Sequence, residues 1–207
     1  MNQHRIPPVS ITLAAVLTLT AACRNAEAPS ADGAATEVPA EVVDSVLPMD
    51  VMLQRFRTGL PEPERLTGGA DSRDGLVEGL VRALQESDTL AFERFSMGMS
   101  EWAWLYYGTA AQAQPPYELP PGMAWLQFQE TNRTGALRAL ERLGGHALVY
   151  RGHVCDPAPT LEGGNRIWIG CTVTLGVDGA PPAPVRLFSS ILERDGRWVV
   201  LSYANDF

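Results

Sequence analysis

The hydrophobic period of this 207-residue chain changes at Gly144-Gly145, and that change limits the folds open to it. Before the glycine pair, apolar residues recur every three or four positions, the spacing of an amphipathic helix. After it they alternate, the spacing of a half-buried strand. Pro48 opens a short helix with Met49, Met52, Leu53 and Phe56 on one side, and Pro61 and Pro63 end it. Asp71 or Ser72 caps a second helix with the stripe Leu76, Val77, Leu80, Val81 and Leu84. Ser87-Asp88 breaks and recaps the chain before Leu90, Ala91, Phe92 and Phe95. Ser100 is the expected cap of an aromatic helix over 101–107, and residues 115–121 form a proline-rich connector. The longest helix is expected over 123–143, with Trp125, Phe128, Ala136, Ala139, Leu140 and Leu143 inward and the glycine pair as its stop.

Four strands are expected beyond it, over 147–155, 166–177, 185–194 and 197–204. Asp195-Gly196 is a two-residue hairpin signal. It sets Leu192 opposite Val199, Ser190 opposite Leu201 and Phe188 opposite Tyr203, with Glu193 facing Trp198 and Ile191 facing Val200. Helices first and strands later predict an α+β domain over 46–207. Its N-terminal helices pack on one face of an antiparallel sheet of about four strands.

The N-terminus reads as an address. A short basic start, an apolar run over 11–19 and then Thr20, Ala21, Ala22 and Cys23 resemble a bacterial lipoprotein signal. The run is too short for a membrane-spanning helix. Residues 1–22 are therefore expected to be removed, leaving Cys23 as a lipid-bearing N-terminus and 23–45 as a flexible tether poor in large apolar residues. The lipoprotein resemblance implies a periplasm-facing, membrane-anchored protein. Arg24 in place of Asp points to the outer membrane in a Gram-negative cell.

The formal net charge is −8, and all 16 basic residues are arginine. An acidic chain without a cationic stripe is a poor match for nucleic acid. The absence of lysine excludes Schiff-base chemistry, a P-loop lysine and a Ser–Lys dyad. Cys155 and Cys171 fall on neighbouring expected strands, and in an oxidising compartment two such thiols pair. The chain-entropy model gives about 3 kcal/mol for closing a loop of about 15 residues. Their spacing is not a redox CxxC, and with only His146 and His153 nearby it matches no metal site.

The helical pair around Leu76–Leu84 and Leu90–Phe95, followed by the terminal LFSSILERDGRWVVLSYANDF, resembles the nuclear transport factor 2-like, ketosteroid-isomerase-like superfamily. The resemblance spans residues 76–207. It departs where the family carries a strand or hairpin among its helices and this chain has an aromatic segment and a proline loop. The resemblance implies that the antiparallel sheet is curved and cone-shaped, with a cone between helices and sheet that in relatives is an active site, a binding pocket or a filled core.

Residues expected to line such a pocket are Trp102, Tyr107, Trp125, Phe128, Tyr150 and Tyr203, with core packing the competing role for the aromatic cluster. Thr131 and Asn132 interrupt the long helix's apolar side, facing either a cavity or solvent. Tyr150 and His153 fall on opposite faces of a regular strand unless Gly152 marks a bulge. Asp206 lies at a frayed end. No catalytic pair is therefore expected, and Arg194 and Arg197 read as a solvated hairpin tip. No cofactor is implied. The expected function is non-enzymatic binding of an envelope protein or a small apolar ligand. An isomerase- or dehydratase-type enzyme and a homodimeric structural module stand as alternatives.

Overall fold

A computed structural model describes residues 47–207. The expected signal segment, Cys23 and the expected tether to 45 lie outside the described residues.

The helices follow the apolar stripes. Helix α1 (Met49–Arg57) starts after Pro48 and buries Leu53. Helix α2 (Arg73–Glu86) is capped by Ser72, whose hydroxyl accepts from the Gly75 amide at 3.0 Å, and it buries the whole expected stripe. Ser87 ends it in the left-handed region (φ 53°), and the Asp88 carboxylate caps α3 (Thr89–Arg94) by accepting from the Ala91 amide at 3.1 Å. Helix α4 (Met99–Glu101) begins earlier than expected. Gly98, not Ser100, is its cap, because the Glu101 side chain reaches back to accept from the Gly98 amide at 3.2 Å. The chain then widens into a π-turn over Trp102–Tyr106. There the Tyr107 amide donates to the Trp102 carbonyl five residues back, which sets the two rings over each other at 4.3 Å. Helix α5 (Pro121–Leu143) is the long one, with proline at its first position.

The α+β class is as expected, but two of the four expected strands are broken. The strands are β1 (Leu148–Val154), β2 (Thr160–Glu162), β3 (Asn165–Ile169), β4 (Thr172–Val177), β5 (Ala183–Val185), β6 (Ser190–Arg194) and β7 (Arg197–Ser202). Gly170, at φ +64°, splits 166–177 into β3 and β4, and residues 186–189 divide β5 from β6. Each break moves the chain from one antiparallel sheet to the other, a corner of the kind sandwiches use. The sheets are β1-β4-β5 and β2-β3-β6-β7. The disulfide Cys155–Cys171 forms just past the Val154–Thr172 pair and closes a loop that carries β2 and β3.

The Asp195-Gly196 turn has positive φ at both residues, and three of the expected pairs form: Ile191–Val200, Leu192–Val199 and Glu193–Trp198. Ser190 pairs with Ser202 rather than Leu201, because the register slips beside Ile191. Phe188 and Tyr203 lie outside the ladder and are buried. The hairpin arginines are half-buried rather than a solvated tip. Arg194 donates to the Leu105 carbonyl at 3.0 Å, and Arg197 donates to the Gly68 carbonyl at 2.6 Å and pairs with Asp71.

The second sheet is covered on both faces, not on one. Ile167, Leu192, Val199 and Leu201 pack with Leu53, Trp102 and Trp125. Ile191 and Val200, of opposite parity, pack with the α2 stripe and Phe92. Helix α5 seats on the end of β7 through Asn132 and Gly135. The Asn132 side chain donates to the Leu201 carbonyl at 3.2 Å and accepts from the Tyr203 amide at 2.7 Å. Asn132 is thus a buried backbone clamp, neither a solvated residue nor a free polar group. A Cβ on Gly135 would stand 1.9 Å from the Tyr203 carbonyl oxygen, so only glycine permits this approach.

Candidate functional site

The side chains that α5 turns towards α3 do not close against it. Trp125, Phe128, Ala136 and Leu140 share one side of α5, spaced at three and four residues and multiples of these. Together with Phe92 and Met97 they line a groove of about 520 Å³. Met99 and Leu137 stand exposed on its rim, at 38% and 50% of their full surface. Trp125 and Phe128 stack on each other at 5.3 Å.

Three polar groups on the groove wall are already engaged, while Glu93 stands exposed on the edge shared with a neighbouring trough. The Tyr203 hydroxyl donates to the Phe92 carbonyl at 2.9 Å, and burial pushes its pKa well up. Asn132 is spent on the β7 backbone. Arg133 pairs with Glu130 at 2.9 Å. None of these stands as a free general base facing the groove.

The six residues expected to line a pocket divide three ways. Trp125, Phe128 and Tyr203 come together in the groove. Trp102 and Tyr107 lie behind it as core. Trp102 packs 5.3 Å from Trp125, and the Tyr107 hydroxyl donates to the Leu119 carbonyl. Tyr150 belongs to a separate cluster on β1. Two further hollows adjoin the groove. One, of about 220 Å³, lies between Tyr106, Thr131 and Ser202. The other is a trough of about 730 Å³ between the 61–69 loop and the 93–101 segment. The methionines of the groove, Met97 in its wall and Met99 on its rim, carry no sequence pattern that marks them as a site.

The Gly152 bulge, the exception to the regular-strand expectation for Tyr150 and His153, is present in β1. The register skips between Tyr150 and His153, and Gly152 takes φ +126° to absorb the extra residue. Both side chains then face the same way. The Tyr150 hydroxyl lies 2.7 Å from His153 Nδ1, and Asp74 Oδ1 on α2 lies 3.6 Å from the same nitrogen. The His153 side chain is 3% exposed. Burial lowers its pKa, the Arg73 charge lowers it further, and Asp74 opposes them. Burial raises the Tyr150 pKa. Beside this cluster, the Arg73 guanidinium lies 5.1 Å over the Trp168 ring. Asp74 and Tyr150 meet the same ring nitrogen, so they do not make a relay through the imidazole, and a base must reach the proton it takes. His153 lines none of the three hollows, and its Nε2 is buried without a partner among the described residues. The cluster ties the bulge to the start of α2. Among the described residues, no three His, Cys, Asp or Glu side chains gather as a metal site.

Compared with known proteins, the chain matches no family model, no curated protein and no solved structure.

Proposed function

We propose that this chain is a lipid-anchored envelope domain that binds a small apolar ligand in the groove between α3 and α5 and performs no chemistry on it. The observation that carries the reading is the groove: a largely apolar wall with aromatic and methionine side chains, on which Tyr203, Asn132 and Arg133 are already bonded elsewhere. Its volume of about 520 Å³ falls among small-molecule sites. Methionine suits such a wall because its unbranched, polarisable side chain adapts to different shapes. A helical pair leading into a bent antiparallel layer supports kinship with the nuclear transport factor 2-like superfamily. The apolar run before Cys23 supports lipidation there and an outer-membrane, periplasm-facing address.

The isomerase- or dehydratase-type reading draws on the Tyr150–His153 pair, and its enclosure argues against substrate contact.

The test is calorimetric titration of decanol into the Cys23→Ser chain. Saturable binding is expected, and Ala136→Phe, which fills the groove, should abolish it without lowering the melting temperature. Unchanged decanol affinity in Ala136→Phe refutes the site. The same Cys23→Ser change should release the protein from membranes; equal membrane partitioning of both forms refutes the anchor.

A further inference from the structure

We infer that the ligand of this groove is an amphiphilic amine, its ammonium held in the adjoining trough by Glu93 and Glu101 and its hydrocarbon lying between Met97, Met99, Trp125 and Phe128. The inference rests on the binding reading above and adds the chemistry of the head group.

The trough and the groove meet along one short segment, since Glu93, Ser96, Gly98 and Met99 line both. The crest of that segment is low at Gly98, where a Cβ would meet no heavy atom within 4 Å. A molecule lying over Gly98 therefore touches both hollows.

The hollows differ in charge. The groove is mostly apolar, its Arg133 paired with Glu130 and Glu93 lying on the edge shared with the trough, whereas the trough carries Glu93, Glu101 and Arg94. Arg94 is committed to Asp88 at 2.7 Å. Glu93 is exposed and has no cationic side chain within 4.0 Å among the described residues. Glu101 is 6% exposed and likewise has no cationic partner among the described residues. Its carboxylate is held by neutral donors: the Thr67 amide at 2.6 Å, the Thr67 hydroxyl at 2.7 Å and the Gly98 amide at 3.2 Å. A carboxylate has about four acceptor sites, so one remains. A buried carboxylate without a counter-ion is costly, and a ligand cation reduces that cost where an anion raises it. Charge complementarity thus selects an ammonium for the trough, and the apolar groove selects a hydrocarbon body.

Three probes with one tail separate the terms: decylamine, decanol and decanoate, titrated into the Cys23→Ser chain at neutral pH. Decylamine is expected to bind about tenfold tighter than decanol, with decanoate weakest. Glu93→Gln and Glu101→Gln should each shrink the amine's advantage and leave decanol unchanged. Glu141→Gln, an exposed acid on α5, should not, which separates the site from the overall negative charge. If Glu101→Gln fails to fold, Glu93→Gln decides alone. Equal affinities for the three heads, or an amine preference that survives Glu93→Gln, overturn the head-group site while decanol binding upholds the groove. Loss of decanol binding altogether overturns both.

Discussion

Two glycines on one helix should respond to alanine with opposite signs. In an unconstrained helix, Gly→Ala stabilises by up to about 1 kcal/mol. Gly122 is such a position: a Cβ there has open space around it. Gly135 is not. Its Cβ would meet the Tyr203 carbonyl oxygen at 1.9 Å and the carbonyl carbon at 2.5 Å, and backbone cannot swing aside. Relief requires α5 to lift from β7 by on the order of 1.5 Å, beyond what close packing accommodates without strain. That movement stretches the two Asn132 bonds and the 2.7 Å bond from Asn205 to the Gly135 carbonyl. Three weakened bonds at about 1 kcal/mol each, with overpacking of about 1–3 kcal/mol against a helix gain of about 1, leave a loss of roughly 3–5 kcal/mol. For a domain of this size that lowers the melting temperature by roughly 6–20 °C. Urea unfolding of the Cys23→Ser chain and its two alanine variants measures it. A Gly135→Ala variant as stable as its parent refutes the close docking of α5 on β7.

Asn132→Leu leaves the Tyr203 amide and the Leu201 carbonyl unpaired in a buried place and should cost about 2–5 kcal/mol, read by the same unfolding assay. His153 has a lowered pKa in the fold, so below the unfolded value of 6.5 the unfolded chain takes a proton that the folded one resists. Stability should therefore fall as pH drops through that range, and His153→Gln should flatten the difference between pH 8 and pH 5; identical pH profiles refute the burial of that ring. The unreduced Cys23→Ser chain should show no reactive thiol when unfolded, and reduction should cost about 3 kcal/mol; stoichiometric labelling without reductant refutes the pair.

Local rules were legible where one short-range term dominates. The stripe Leu76–Leu84 and its Ser72 cap, the Ser87-Asp88 break and the Asp195-Gly196 turn each depend on neighbours within a few residues. The strands broke where a single residue decides between continuing and turning. Gly170 sits within an alternating run and reads as tolerated, yet its positive φ sends β3 and β4 into different sheets. Gly152 is a smaller case, a glycine whose bulge the sequence allows but does not decide. Period-2 counting puts Tyr150 and His153 on opposite faces, and one bulged residue brings them onto the same face. A strand's alternation carries its parity forward, so one unrecognised bulge inverts every assignment beyond it.

The site was half legible for a related reason. The period of α5 names Trp125 and Phe128 as inward, but inward does not separate a filled core from an unfilled groove. That difference lies in whether α3 and the 96–99 segment close over α5, a non-local fact. Trp102 and Tyr107 share the same aromatic signature and became core, because the π-turn brings them into a stack that leaves no space. Met97 and Met99 have no helical stripe around them and became wall and rim. Charge was hidden in the same way. Glu93 and Glu101 are ordinary helix acids in sequence, and Arg94 sits beside the first of them. Only the fold shows that Arg94 turns to Asp88 and that Glu101 is buried among neutral donors. An acid's partner is set by tertiary contact, so the negative charge of the trough emerges only when the 61–69 loop is laid against the 93–101 segment.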